Sequence, residues 1–197
     1  MRVEPFREGA DVRRVVPVVR EVVASGGVVL LPTETYYGLG AAPGSSEGVE
    51  RVFRLKERPA GRPLLVLCAD WAQLEELVEV PSRWRIRLSR TWPGPLTVIL
   101  PARKPLAAAP SGRLAVRIPG ASLLRALLYR VGPLTGTSAN RSGSPPHRRP
   151  RAAAADLAAP PDLVLDGGET PGGAPSTLVD LCGNEPRVLR IGPASWS

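Results

Sequence analysis

An α/β fold in a single domain is what the sequence predicts, and three observations carry the prediction. Short runs of β-branched residues and leucine alternate with segments of helical period along the chain. The 197 residues suffice to bury a full core and favour one domain over two. No shift of composition marks a linker, and no internal repeat is present. With 43% hydrophobic and 22% charged residues the chain has the balance of a folded globular protein, while 23 prolines and 20 glycines call for many turns.

Taken in order, Val12, Val15, Val16, Val19, Val22 and Val23 keep helical spacing, with Asp11 as the expected N-cap and Gly26-Gly27 as the stop. Pro17 argues that this helix starts late. The apolar run over 28–31, ended by Pro32, reads as a buried strand. A helix over 46–55 then delivers Lys56 and Arg58 at its C-terminal end. Strands are expected over 64–68, 96–100, 115–118, 163–165, 177–181 and 188–191, and helices over 71–80, 83–91, 122–131 and 151–157.

The formal charge of +8 makes an anionic partner plausible without choosing among nucleotide, nucleic acid or acidic surface. Arg83, Arg85, Arg87 and Arg90, and again Arg148, Arg149 and Arg151, fit a phosphate backbone or simply a solvated helix face. No apolar leader opens the chain and no run is long enough to span a membrane, so a cytoplasmic protein is expected. Cys68 and Cys182 lack metal or redox spacing and are expected as buried free thiols. His147, the only histidine, cannot assemble a hydrolase triad and is expected in a surface loop. Neither a dinucleotide fingerprint nor a P-loop pattern occurs.

Two polar signatures carry the functional reading. Lys56-Glu57-Arg58-Pro59 sets a point charge and a planar guanidinium two residues apart, suited to polyphosphate or carboxylate. Only Lys56 and Lys104 are lysines among 26 basic residues, so Lys56 is kept where arginine is the rule. Thr137-Ser138-Ala139-Asn140-Arg141-Ser142-Gly143 supplies hydroxyl and amide groups on a small-residue turn, with Ser138 and Asn140 on one side of an extended stretch. Together they read as a nucleotide site. Pro32-Thr33-Glu34-Thr35-Tyr36-Tyr37-Gly38-Leu39-Gly40 follows the first predicted strand at its carboxyl end, where open α/β sheets place ligands. Arg117 stands in an apolar strand, where a charge needs either a carboxylate of the core edge or an anionic ligand; the ligand is favoured.

The stretches PTETYYGLG, KERP, WPGPLTVIL, LAVRIP, TGTSANRSG, the DGG at Asp166, the PST at Pro175 and VLRIGP run in one order through most of the chain. In this they resemble the threonylcarbamoyl-AMP synthase family, the TsaC and YrdC-like proteins. The resemblance implies a twisted, mixed, open sheet with flanking helices and a concave basic face, its core spanning about residues 10–193. It also implies a nucleotidyltransferase reaction, in which L-threonine, bicarbonate and ATP give threonylcarbamoyl-AMP and pyrophosphate. Partner proteins would pass the threonylcarbamoyl group to a tRNA adenosine beside the anticodon. A non-catalytic module of the same fold that binds structured tRNA or ribosomal RNA is the alternative, and contact with tRNA or double-stranded RNA is among the expected partners.

By matching position, Lys56 and Arg58 would be catalytic and, with Arg62, would meet the ATP phosphates. Ser138, Asn140 and Arg190, with Arg113 as a further addition, would hold the nucleotide. Thr33, Thr35, Arg117 and Ser176 would hold threonine, Arg117 by its carboxylate. Mg²⁺ would be held mainly by ATP phosphate oxygens, with no protein metal ligands. Many members carry a histidine in the strand after the K-x-R pair; Leu67 stands there, which leaves the strictness for threonine open. The chain ends soon after Arg190, from which a single-domain form is expected.

Overall fold

A computed structural model describes residues 1–59 and 61–196. The strands are β1 Arg2–Pro5, β2 Val29–Pro32, β3 Tyr37–Gly40, β4 Leu65–Leu67, β5 Leu96–Pro101, β6 Arg113–Arg117, β7 Leu134–Thr135, β8 Thr137–Ser138, β9 Leu163–Asp166, β10 Thr177–Asp180 and β11 Arg187–Arg190. The helices are α1 Gly9–Ala24, α2 Ser46–Leu55, α3 Trp71–Leu77, α4 Ser82–Thr91, α5 Ser122–Val131 and α6 Pro150–Ala155. None of the described helices is long and apolar enough to cross a membrane.

The fold is mixed α/β, as expected, but its strands divide between two sheets rather than forming one. One sheet has the order β1-β9-β2-β3-β8 and the other β11-β10-β5-β6-β4-β7, and each contains parallel and antiparallel neighbours. The division falls in the segment 134–138, where β7 pairs with β4 of one sheet and β8 with β3 of the other. Gly136 lies between them. A Cβ there would meet the Leu67 side chain at 2.4–3.0 Å, so only glycine lets the chain pass this close to β4. Beside it the buried Thr135 hydroxyl accepts from Ala41 N and donates to Leu39 O, both at 2.9 Å, and so ties β7 to the neighbouring sheet.

Strands β2 and β9 are covered on both faces, which is why they read as unbroken apolar runs. Alternation sends Leu30 and Val164 into a core shared with α2 and the second sheet. Val29, Leu31, Leu163 and Leu165 enter the opposite core, against Val12, Val15, Val16 and Val19 of α1 and Leu124, Leu127 and Leu128 of α5.

Helix α1 begins before its expected cap. Asp11 is its third residue, and its carboxylate accepts the N–H groups of Arg7 at 2.7 Å and Glu8 at 3.2 Å, a reach back that closes the first turn. Pro17 lies inside the helix without delaying its start. The carbonyl deprived of a partner belongs to Arg13, and both residues are exposed, on the side of the helix that solvent reaches. Strands β1, β3, β7 and β8 escaped prediction: β1 alternates charge at an edge, β3 is half glycine, and the last two have two residues each. Helix α3 stops at Leu77 rather than continuing to residue 80 because Val78 leaves it to form an extended bridge with Ala102. Cys68 is buried as expected, whereas Cys182 is only partly so.

Tyr37, fully buried in β3, anchors the glycine-rich loop after β9. Its hydroxyl donates to Gly168 O at 2.7 Å and accepts from Gly167 N at 3.1 Å. Burial pushes this phenol up to about 12, so it stays neutral. Tyr37→Phe is expected to lower the unfolding free energy by about 1–3 kcal/mol, since it strands a part-buried donor and acceptor. Urea unfolding measures this, and an unchanged midpoint would show that other contacts hold the loop.

Candidate functional site

A cavity of about 440 Å³ opens between the two sheets, within the range of small-molecule sites. Leu65, Leu67, Ala115 and Leu178 give it an apolar floor, and Thr33, Thr35, Thr97, Ser138 and Ser176 bring hydroxyls to it. Three arginines, Arg58, Arg117 and Arg190, line it together with one acidic residue, Glu34. The excess of positive charge suits an anion.

The K-x-R pair reaches the cavity through the way α2 ends. Arg58 N bonds Phe53 O at 3.0 Å and Glu57 N bonds Arg54 O at 3.1 Å, the paired closure of a helix whose next residue turns left-handed. That residue is Glu57, at φ 48°, where glycine is the usual choice. The reversal sends the two cations apart. Arg58 lines the cavity with its guanidinium 5.8 Å from the Phe53 ring centre, and burial, reinforced by the nearby charge of Arg62, lowers its pKa. Arg62 itself is exposed and does not line the cavity.

Lys56 turns inward and is only 3% exposed. Its ammonium donates to the carbonyl of Ser138 and, at 2.8 Å, to that of Asn140, while Ser142 N donates back to Lys56 O at 2.8 Å. Lys56 does not line the cavity; it holds the S-x-N loop against the end of α2. Burial and the Arg58 charge bring its amine down to about 8, with Asp156 opposing them. Asn140, 6% exposed, spends its amide N–H groups on Arg141 O and Ser144 O, at 2.8 and 2.6 Å. Its Oδ1 is buried without a partner at the cavity wall, an acceptor that a ligand donor would satisfy.

On the opposite wall Arg190 donates from Nε to Ser176 O at 3.0 Å and from Nη2 to Ser176 Oγ at 3.3 Å. Ser176 Oγ in turn meets Thr97 Oγ1 at 2.8 Å. Thr33 organises its own turn, its hydroxyl donating to Tyr36 O at 2.7 Å and accepting from Thr35 N at 3.1 Å. Arg117 is 5% exposed and pairs with Glu34, so the core-edge carboxylate set aside in the sequence reading is present after all. The structure does not bring Arg113 to the cavity. It sits at the start of β6, where Asp180 holds its guanidinium. His147 pairs with Asp156 at 3.0 Å in the loop after the S-x-N turn.

Sequence reading missed Glu34 and Thr97. Glu34 stood inside the PTETYYGLG stretch, and the need of Arg117 for a counter-charge was the available signal. Thr97 gave none, being one hydroxyl in an apolar strand. Among the described residues no group of three or more His, Cys, Asp or Glu could hold a metal ion.

Lys56→Met is expected to cost about 2–4 kcal/mol, because two buried carbonyls lose their donor. The folded amine releases its proton near 8 and the unfolded one near 10.5, so this group adds stability as pH rises through that window. Denaturant titrations across it should therefore show the gap between wild type and Lys56→Met widening; a constant gap would refute the assignment.

A family model, Sua5_yciO_yrdC, described as "Telomere recombination", matches residues 21–192. The Pyrococcus abyssi threonylcarbamoyl-AMP synthase is 38% identical over 175 residues, 86% of this chain and 52% of the relative. The Bacillus subtilis protein of the same name is 37% identical, with 49% of its length covered, so the chain spans about half the length of these relatives. A shorter relative of that name from Nitrosococcus oceani is 35% identical, with 81% of this chain and 89% of the relative covered. Among solved structures, P. abyssi Sua5 complexed with L-threonine superposes with a TM-score of 0.87 at 34% identity, over 98% of this chain and 58% of that one. Escherichia coli YciO gives 0.83 at 28% identity, over 98% and 96%. Motifs, two-sheet architecture and family model agree over the same stretch, and the chain belongs to the Sua5/YciO/YrdC family.

Proposed function

We propose that this cavity makes threonylcarbamoyl-AMP from L-threonine, bicarbonate and ATP. The observation that carries the reading is the convergence of Arg58, Arg117 and Arg190 on one cavity walled by the S-x-N loop, in a chain whose relatives bear the name of that synthase. The L-threonine bound by P. abyssi Sua5 supports the choice of amino acid.

In the proposed reaction the threonine amine attacks bicarbonate carbon and water leaves, giving a carbamate. A carbamate oxygen then attacks the α-phosphorus of ATP, and the bond to the β-phosphate oxygen breaks to release pyrophosphate. Arg58 stabilises charge on the phosphates, with Arg62 approaching from the rim and Arg190 from the opposite wall. Lys56 keeps Ser138 and Asn140 in place for the nucleotide, and Asn140 Oδ1 accepts one of its donors. Thr33, Thr35 and Ser176 take the amino acid, with Arg117 on its carboxylate. Mg²⁺ would be held by phosphate oxygens and water and would supply positive charge to the phosphates, since the one acidic residue lining the cavity, Glu34, already pairs with Arg117. The product then serves threonylcarbamoyl transfer to tRNA by partner proteins.

Pyrophosphate release from ATP, with bicarbonate and magnesium, is expected only when L-threonine is present. Arg58→Ala should cut the rate by about a hundredfold or more, and Arg117→Ala should raise KM for threonine with KM for ATP unchanged. Release independent of the amino acid, or none from folded wild-type protein, would overturn the reading.

A further inference from the structure

Arg117 is the most constrained of the three cavity arginines, and Glu34 supplies the constraint. The Arg117 side chain is 6% exposed. Its Nε donates to Gly94 O at 3.0 Å and its Nη2 to Glu34 Oε1. The same carboxylate oxygen accepts the N–H of Gly120 at 2.8 Å. One carboxylate thus ties the turn after β2 to residues 117–120, the stretch that leads from β6 toward α5.

A guanidinium is planar, so fixing Nε and one Nη2 hydrogen fixes the remaining N–H groups as well. Three N–H hydrogens remain, two on Nη1 and one on Nη2, and a pair with one on each Nη has the geometry that receives a carboxylate through two parallel bonds. Left without Glu34, this buried cation would have no counter-charge and the freedom to turn toward any acceptor. Glu34 is held just as firmly. Its side chain is 22% exposed, and its second oxygen, Oε2, is buried without a partner, so the bonds from Arg117 and Gly120 both fall on Oε1.

We propose that Glu34 is a positioning residue for the amino-acid substrate, setting affinity for the α-carboxylate by orienting Arg117. The inference rests on the amino-acid reading of the site given above and extends it to a residue that the K-x-R and S-x-N motifs do not contain. It has a distinctive consequence. Removing a negative charge from beside an anion site would ordinarily tighten anion binding, whereas losing a positioning group loosens it.

Calorimetric titration of L-threonine, its carboxamide and ATP into wild type, Glu34→Gln and Glu34→Asp separates these cases. Glu34→Gln keeps an acceptor oxygen but no charge, and threonine should bind about tenfold more weakly, the loss of one charge-assisted hydrogen bond. ATP should bind as in wild type, which reports an intact fold. L-Threonine amide, lacking the carboxylate, should bind both proteins alike. Glu34→Asp restores the charge at shorter reach and should recover part of the affinity. Unchanged or tighter threonine binding by Glu34→Gln overturns the proposal, as does equal weakening of threonine and its amide. Wild-type protein that takes up no threonine at all overturns the amino-acid reading and this inference with it, an outcome distinct from the other two.

Discussion

A buried ammonium must find acceptors within the protein, and at Lys56 this requirement organises much of the site. Leaving water costs a cation several kcal/mol unless hydrogen bonds replace its hydration. Here the replacements are main-chain carbonyls of Ser138 and Asn140, so one side chain at the end of α2 determines where the S-x-N loop lies. The return bond from Ser142 N to Lys56 O makes the link reciprocal. A guanidinium would fit this place poorly, being wider, planar and without a compact three-fold set of donors. That is a physical reason for a lysine in a chain that elsewhere prefers arginine.

The same economy recurs on the far wall. Arg117 and Arg190 are both held by groups of the protein before any ligand is considered, the first by Gly94 and Glu34, the second by Ser176. Cations held in advance lose little freedom when an anion arrives, which favours binding and, in a phosphoryl-centred reaction, stabilisation of developing charge. The floor between them is apolar, so the field of these charges is less screened than it would be at an open surface.

Much of the framework was legible from periodicity. Helix α2 and strands β2, β5, β9 and β10 lie within a residue or so of their expected positions, because their burial patterns are strong and their ends carry turn residues. The failures have particular causes. Asp11 looked like a cap because its residue type suits one, but a carboxylate one turn further on serves the same N–H groups. The run from Tyr37 to Gly40 looked like a ligand loop because glycine weakens strand propensity, while its pairing with both β2 and β8 overrides that weakness.

At the site, residue type and spacing pointed to Lys56, Arg58, Ser138 and Asn140 as one group and to an anionic ligand, since charge and hydrogen-bonding chemistry are local properties of the sequence. Only the tertiary structure decided their different stations: Arg58 at the cavity wall, Lys56 behind the loop, Arg113 away from the cavity and Arg117 beside Glu34. The reason is that a cation's role depends on which acceptors the fold brings to it. Those acceptors lie as many as 84 residues away, in loops and strands that only the folded sheets bring within reach.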